Sequence, residues 1–192
     1  TRGGSSMTGF AMCGSFCTHA AAIEQLARLR LSGRDILPIM SENVYSTSTR
    51  FGECTALREK VTQLCGREIV HTIVDAEPLG PRTPMEALII CPCTGNTLAK
   101  LACGITDTAV TMAAKAHLRC SRPLVIALSS NDVLSANLKN MALLMSRKNI
   151  YFVPLAQDDP VGKPYSMVAD FSLVEPTLEA ALNGKQFQRV FI

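Results

Sequence analysis

Short continuous apolar runs recur along the chain and alternate with segments whose apolar residues return at three- and four-residue steps. The runs at Thr8–Cys13, Asp35–Met40, Glu68–Val74, Glu86–Cys91, Leu124–Leu128 and Ile150–Val153 have the length of strands, and their lack of polar alternation describes strands buried on both faces. Helical spacing predicts helices over Thr18–Leu31, Glu53–Cys65, Thr97–Cys103, Thr108–Leu118, Asp132–Ser146 and Glu175–Leu182. In the first of these, Ala22, Ile23, Leu26, Ala27 and the stem of Arg30 form the apolar stripe. Strands alternating with helices give an α/β fold: a three-layer, mostly parallel, Rossmann-like (flavodoxin-like) sheet with helices on both faces and right-handed crossovers. Ligands of such sheets bind outside the carboxyl ends of the strands.

Several loops at those carboxyl ends have the composition of a phosphate site. Pro92-Cys93-Thr94-Gly95-Asn96-Thr97 stands between an apolar run and a helix start, so its hydroxyls and backbone N–H groups lie beside a positive helix end. Taken alone it has a second reading, in which Thr94 and Asn96 cap the helix. The turn Gly14-Ser15 repeats the arrangement after the first strand: Gly14 permits close backbone approach and Ser15 adds a hydroxyl. Ser41 follows the second strand. The three spaced glycines of a dinucleotide fingerprint are absent, so Gly14, Ser15, Ser41, Thr94, Gly95 and Asn96 are candidate ligands of a mononucleotide such as FMN.

Composition narrows the class. With 192 residues, 47% of them hydrophobic, the chain can bury one sizeable core, and a single domain is expected over residues 7–192. Thr1 to Ser6 reads as a tag remnant and is set aside. A net charge of +3, with 18% charged residues and no basic run, argues against nucleic acid or membrane as the main partner. No apolar run has transmembrane length and no secretory signal is recognisable, which suits a cytoplasmic protein. The eight cysteines form no Cys-x-x-Cys pair, and His19, His71 and His117 fall at no zinc spacing. They are expected to be reduced, mostly buried thiols, with no metal site. Cys93, inside the candidate loop, is the thiol to watch for reactivity.

These motifs resemble the homo-oligomeric flavin-containing cysteine decarboxylases. Their signature loop, Pro-Ala-Ser-Ala-Asn-Thr, is matched by Pro92, Asn96 and Thr97, with Thr94 for Ser and with Cys93 and Gly95 for the alanines. Met12-Cys13-Gly14-Ser15 is similar to the family's opening strand and turn, and Gly104-Ile105-Thr106-Asp107 to its Gly-Ile-Ala-Asp element. The resemblance runs from Phe10 to Ile150. Of the family's Pro-x-Met-Asn-x-x-Met-Trp motif only Asn131 survives, in Ser129-Ser130-Asn131-Asp132, and the chain holds no Trp. The family's His upstream of the loop falls near Glu77 and Pro78 here. His71 is further upstream, within the expected strand Glu68–Val74.

The resemblance implies FMN as cofactor and a homo-oligomer built on a trimer. Thr49-Arg50-Phe51-Gly52-Glu53, Ala76-Glu77-Pro78-Leu79-Gly80-Pro81 and Gln157-Asp158-Asp159-Pro160 with Lys163-Pro164 are similar to one branch of the family. That branch implies two-electron oxidation of a small dicarboxylate to an aromatic product, with a nicotinamide-binding partner subunit, in the mother cell of a sporulating bacterium. Asn131 is then the candidate catalytic residue, hydrogen-bonding substrate or flavin edge. Arg50 and Lys163 are the candidate substrate contacts, because both lie in loops and guanidinium or ammonium groups suit carboxylates. Glu77 and Arg82, in the proline-rich stretch Asp75–Pro84, are further candidates. Gln157–Tyr165 reads either as a mobile flap or as a solvated turn set by Pro160, Gly162 and Pro164. A cysteine-residue decarboxylase and a non-catalytic nucleotide-binding module are the alternatives.

Overall fold

The structure is a computed structural model and describes residues 6–192. Of the leading stretch Thr1–Ser6, only Ser6 is therefore among the described residues. Five strands form the parallel part of the sheet: β1 (Met7–Met12), β2 (Asp35–Met40), β3 (Ala87–Cys93), β4 (Leu124–Ser130) and β5 (Ile150–Phe152). Two short ones follow, β6 (Leu155–Ala156) and β7 (Met167–Ala169). The helices are α1 (His19–Leu31), α2 (Glu42–Ser46), α3 (Cys54–Cys65), α4 (Ile73–Ala76), α5 (Gly95–Cys103), α6 (Ala109–Leu118), α7 (Leu138–Met145) and α8 (Val174–Leu182).

Parallel pairing sets the order β2-β1-β3-β4-β5, and β7 continues from β4 antiparallel, through Ser129↔Val168 and Ser130↔Met167, to β6. This is the mostly parallel, flavodoxin-like sheet expected, with α1 and α8 packed on one face and α4, α5, α6 and α7 grouped on the other. All seven residues of β3 are buried, which is why that segment reads as an unbroken apolar run. From β1 the chain passes to β2 on one side, then returns to β3 on the other. The switch point between β1 and β3 opens a crevice at the carboxyl ends.

Four local expectations need correction. Glu68–Val74 is not a strand: a single bridge, Ile39↔Val70, is followed by a turn, and Thr72 caps α4 by accepting from Asp75 N at 3.1 Å. His71 accordingly lies outside any strand and stacks on Tyr45, ring centroids 3.6 Å apart. The helix expected from Asp132 begins only at Leu138, because the Asp132 carbonyl accepts from Ser135 N and Asn137 N, both at 3.2 Å, and closes a turn. Finally, β3 runs to Cys93 and α5 starts at Gly95, so the loop Pro92–Thr97 is a strand end, one cap residue and a first helical turn.

The segment Gln157–Tyr165 joins β6 to β7 as an exposed, internally bonded hairpin loop. Asp159 accepts from Gly162 N at 2.8 Å and Gln157 Nε2 donates to Pro164 O at 3.0 Å. Beyond α8 the chain returns to β6, where Leu155 pairs with Phe191.

Candidate functional site

A cavity of ≈ 560 Å³ lies at the switch point. Cys13, Gly14 and Phe16 line it from the end of β1, Ser41, Glu42 and Asn43 from the end of β2, Thr94, Asn96, Thr97 and Lys100 from α5, and Asp107 and Thr108 from the approach to α6. Three of these residues are helix caps. Ser41 Oγ accepts from Val44 N at 3.4 Å, Thr94 Oγ1 from Thr97 N at 3.1 Å, and Thr108 Oγ1 from Thr111 N at 3.1 Å. Each cap satisfies one otherwise unpaired N–H and leaves a positive helix end directed at the cavity. The end of α6 already meets an anion, since Glu42 Oε1 accepts from Ala109 N at 3.1 Å. The end of α5 carries only hydroxyl and amide side chains, Thr94, Asn96 and Thr97, toward the cavity.

Of the six residues expected to hold a mononucleotide, Gly14, Ser41, Thr94 and Asn96 line this cavity. Ser15 instead reaches over the end of β3 to Ser129 on β4, oxygen to oxygen at 3.0 Å. Gly95 is buried and turned toward β4. A Cβ there would lie 2.6 Å from Asn137 Nδ2 and from Ser130 Oγ and 2.7 Å from Asp132 Oδ1, so glycine is required by that close approach.

The remaining candidates lie outside the cavity lining. Asn131 is exposed in the turn after β4. Arg50 is exposed, its guanidinium 4.9 Å from the Phe51 ring centroid. Lys163 is exposed and pairs with Asp158 at 3.3 Å, and the Asp158 carboxyl is held below its usual range by the Ser166 hydroxyl and by Lys163. Glu77 and Arg82 are exposed as well.

At the end of β4, in the loop after Leu128 that the sequence offers as a further candidate, the side chains pair into a polar cluster that the sequence reading did not foresee. Ser130 Oγ donates to Asp132 Oδ1 at 2.6 Å, Asn137 Nδ2 to Asp132 Oδ2 at 2.9 Å, and Asn140 Nδ2 to Asn137 Oδ1 at 2.9 Å. Ser129 and Asn137 are buried. The usable signal was the abrupt change from apolar strand to Ser129-Ser130-Asn131-Asp132. Lys100 and Thr108 were missed too, although a hydroxyl three residues ahead of Thr111 is a cap signal.

Cys93 is not a poised nucleophile. Burial pushes the Cys93 and Cys91 thiols well above their ordinary range and Cys13 up to about 11, so all three stay protonated at neutral pH. Cys13 accepts a hydrogen bond from Thr97 Oγ1 at 3.3 Å, and its carbonyl accepts from buried His19 Nε2 at 2.7 Å. Among the described residues no group of three or more His, Cys, Asp or Glu is placed to hold a metal ion, and no helix is long and apolar enough to cross a membrane. The cavity lining combines small helix caps, Gly14 at the end of β1 and one lysine, a composition compatible with an anionic ligand.

The family model "Flavoprotein" matches residues 9–173. The chain is 46% identical to the B subunit of dipicolinate synthase of Bacillus subtilis (strain 168), over 96% of this chain and 92% of that protein. Its structure superposes on the crystal structure of the dipicolinate synthase B subunit from Bacillus halodurans C with a TM-score of 0.90 at 42% identity, covering 97% and 96% of the two chains. The FMN-dependent cysteine decarboxylase SpaF shares the fold, with a TM-score of 0.63 at 24% identity over 92% of this chain and 97% of that one.

Proposed function

The chain belongs to the flavoprotein family, and from that premise we propose that it acts as the FMN-binding B subunit of a dipicolinate synthase. With a nicotinamide-binding dipicolinate synthase A subunit, it forms dipicolinate from dihydrodipicolinate during sporulation. The observation that supports this most is the likeness to the Bacillus subtilis protein, which runs nearly the full length of both chains. The reaction removes two electrons from a small dicarboxylate and aromatises it. FMN, when bound, supplies an acceptor for hydride and proton.

The residues present fit such a cofactor. Gly14 leaves room for a phosphate to approach the backbone, since a Cβ there would meet only Phe16 Cε2, at 3.5 Å. Ser41 and Thr94 present hydroxyls beside helix N-termini, and Asn96 stands in the first turn of α5. Ser15, tied to Ser129, braces the floor between β1 and β4. Gly95 lets α5 approach the Asp132 cluster closely. Asn131, projecting beyond β4, hydrogen-bonds substrate or the flavin edge, while Arg50 and Lys163 receive the two carboxylates. The working form is a homo-oligomer based on a trimer. Cysteine decarboxylation has less support: the chain lacks the Met-Trp element, and His71 is stacked on Tyr45.

The test uses Gly14→Asp, which sets a carboxylate in the cavity wall where the new Cβ has space. The wild-type chain should carry flavin and yield dipicolinate only when the A subunit is added. The variant should keep its circular dichroism, lose its flavin absorbance and lose the stimulation of product formation. Full flavin content in the variant would refute the cavity assignment. Equal turnover without flavin would make the chain an accessory subunit.

A further inference from the structure

Among the described residues the cavity lining holds one cation, and it is engaged. Lys100 Nζ contacts Asp107 Oδ1 at 2.8 Å, and both residues belong to the lining. The pair is unequal: the Lys100 side chain is 21% exposed and that of Asp107 58%. Lys100 lies four residues after Asn96 on α5, hence on the same helix face one turn along from the end that meets the cavity. Asp107 stands in the connection to α6, whose own N-terminus is served by Glu42. Without a ligand the charged side chains of the lining are therefore Glu42, Lys100 and Asp107, which sum to one negative charge. A dianionic phosphate has to overcome that charge.

We infer that Lys100 is an exchangeable counter-ion: it leaves Asp107 for the phosphate of the bound nucleotide, and Asp107 sets how strongly the site prefers a phosphorylated flavin. This rests on the flavin reading above and specifies its selectivity. An ion pair open to water on the Asp107 side holds weakly, and the released carboxylate stays hydrated. A lysine partly shielded by the cavity wall gains more from a doubly charged phosphate, and its flexible stem allows the swing. Glu42 cannot take the place of Asp107, because it is fixed at Ala109 N. The hydrogen bond from Lys100 holds the Asp107 carboxyl below its ordinary value, and without that bond an ordinary exposed carboxyl is still ionised near neutral pH, so the partner left behind is a carboxylate.

The alternative role for the pair is a plain staple between α5 and the approach to α6. Titrating each apoprotein with FMN and with riboflavin, followed by quenching of flavin fluorescence, separates the two. Lys100→Met should weaken FMN binding by about tenfold or more and move riboflavin binding by less than about twofold. Asp107→Asn should tighten FMN binding several-fold, again with riboflavin nearly unchanged, and the double variant should behave like Lys100→Met. Equal shifts for both flavins, or weaker FMN binding in Asp107→Asn, would show a staple and overturn the inference while leaving the flavin site intact. A wild-type chain that binds neither flavin would remove the flavin reading and this one with it.

Discussion

The two ends of the parallel sheet meet the same electrostatic problem and solve it differently. At the amino ends of the strands the chain supplies both charges. Glu86 accepts from Arg34 Nη1 at 2.7 Å and from Thr8 Oγ1 at 2.9 Å, Arg34 also pairs with Glu179, and Arg67 grips Asp35 with two nitrogens. Arg30 Nε donates to Leu64 O, at the negative end of α3, at 3.0 Å. At the carboxyl ends the termini of α2 and α5 meet neutral hydroxyls instead, at Ser41 and Thr94, around a cavity, and that of α6 adds the Glu42 carboxylate to its Thr108 cap. Charge that is complete within the chain makes scaffold. Helix ends left to small caps keep part of their positive potential for the cavity.

The most direct way to break this contrast is Gly95→Ala. The added Cβ would fall within 2.7 Å of three polar atoms of the Asp132 cluster, and relieving that means moving α5 or breaking buried hydrogen bonds. A loss of about 3 kcal/mol or more in denaturant unfolding is expected, together with loss of flavin retention. A loss below about 1 kcal/mol would show that the approach of α5 to β4 is not tight.

The amino end can be probed with acid. His117 is fully buried, its Nε2 paired with Pro123 O at 2.9 Å and its Nδ1 without a partner among the described residues, and burial pushes its pKa down to about 4. Because the unfolded chain binds this proton more readily, the contribution to stability is complete above pH 6.5 and is lost as pH falls from 6.5 toward 4. The full loss amounts to about 3 kcal/mol. Comparing the acid slope of unfolding with that of His117→Gln isolates it, and matching slopes would mean that the ring takes up its proton equally in the folded and unfolded chains.

Thr94→Ala should have the smallest effect, about 1 kcal/mol, since it removes one cap on the cavity side. Added phosphate should narrow the wild-type advantage only if the exposed helix end and the ligand share the same N–H groups. An unchanged difference would separate cap from ligand site.

The parallel frame was legible because fully buried strands leave runs such as Leu88-Ile89-Ile90 that no other element explains. Ile69 and Val70 imitate such a run, yet Thr72 three residues before Asp75 diverts the chain into α4, and cap chemistry outweighed β propensity. Strands of two and three residues, β6 and β7, are too short to leave a period. In the candidate site, Gly14, Ser41, Thr94 and Asn96 were readable as small residues at strand ends. The placement of Gly95 was not, because its partners, Ser130, Asp132 and Asn137, come from a distant part of the sequence and pair among themselves. Lys100 was hidden by its helix, where a lysine at that spacing reads as solvated.

Two single-residue bridges at the flanks of the sheet cover part of its outer strands. On β2, the outermost strand on one side, Pro38 has no N–H to donate, Val70 N donates to Pro38 O and Met40 N to Val70 O. On β6, at the other side, Leu155 N donates to Val190 O and Ile192 N to Leu155 O. Among the described residues, these two edges are thus bordered by irregular chain that cannot itself extend a ladder, which interrupts the row of amides a neighbouring strand would need. Edge-to-edge β addition at β2 and β6 is disfavoured there, which leaves helix surfaces and loops as the surfaces through which copies can pack, with the sheet kept as an interior wall.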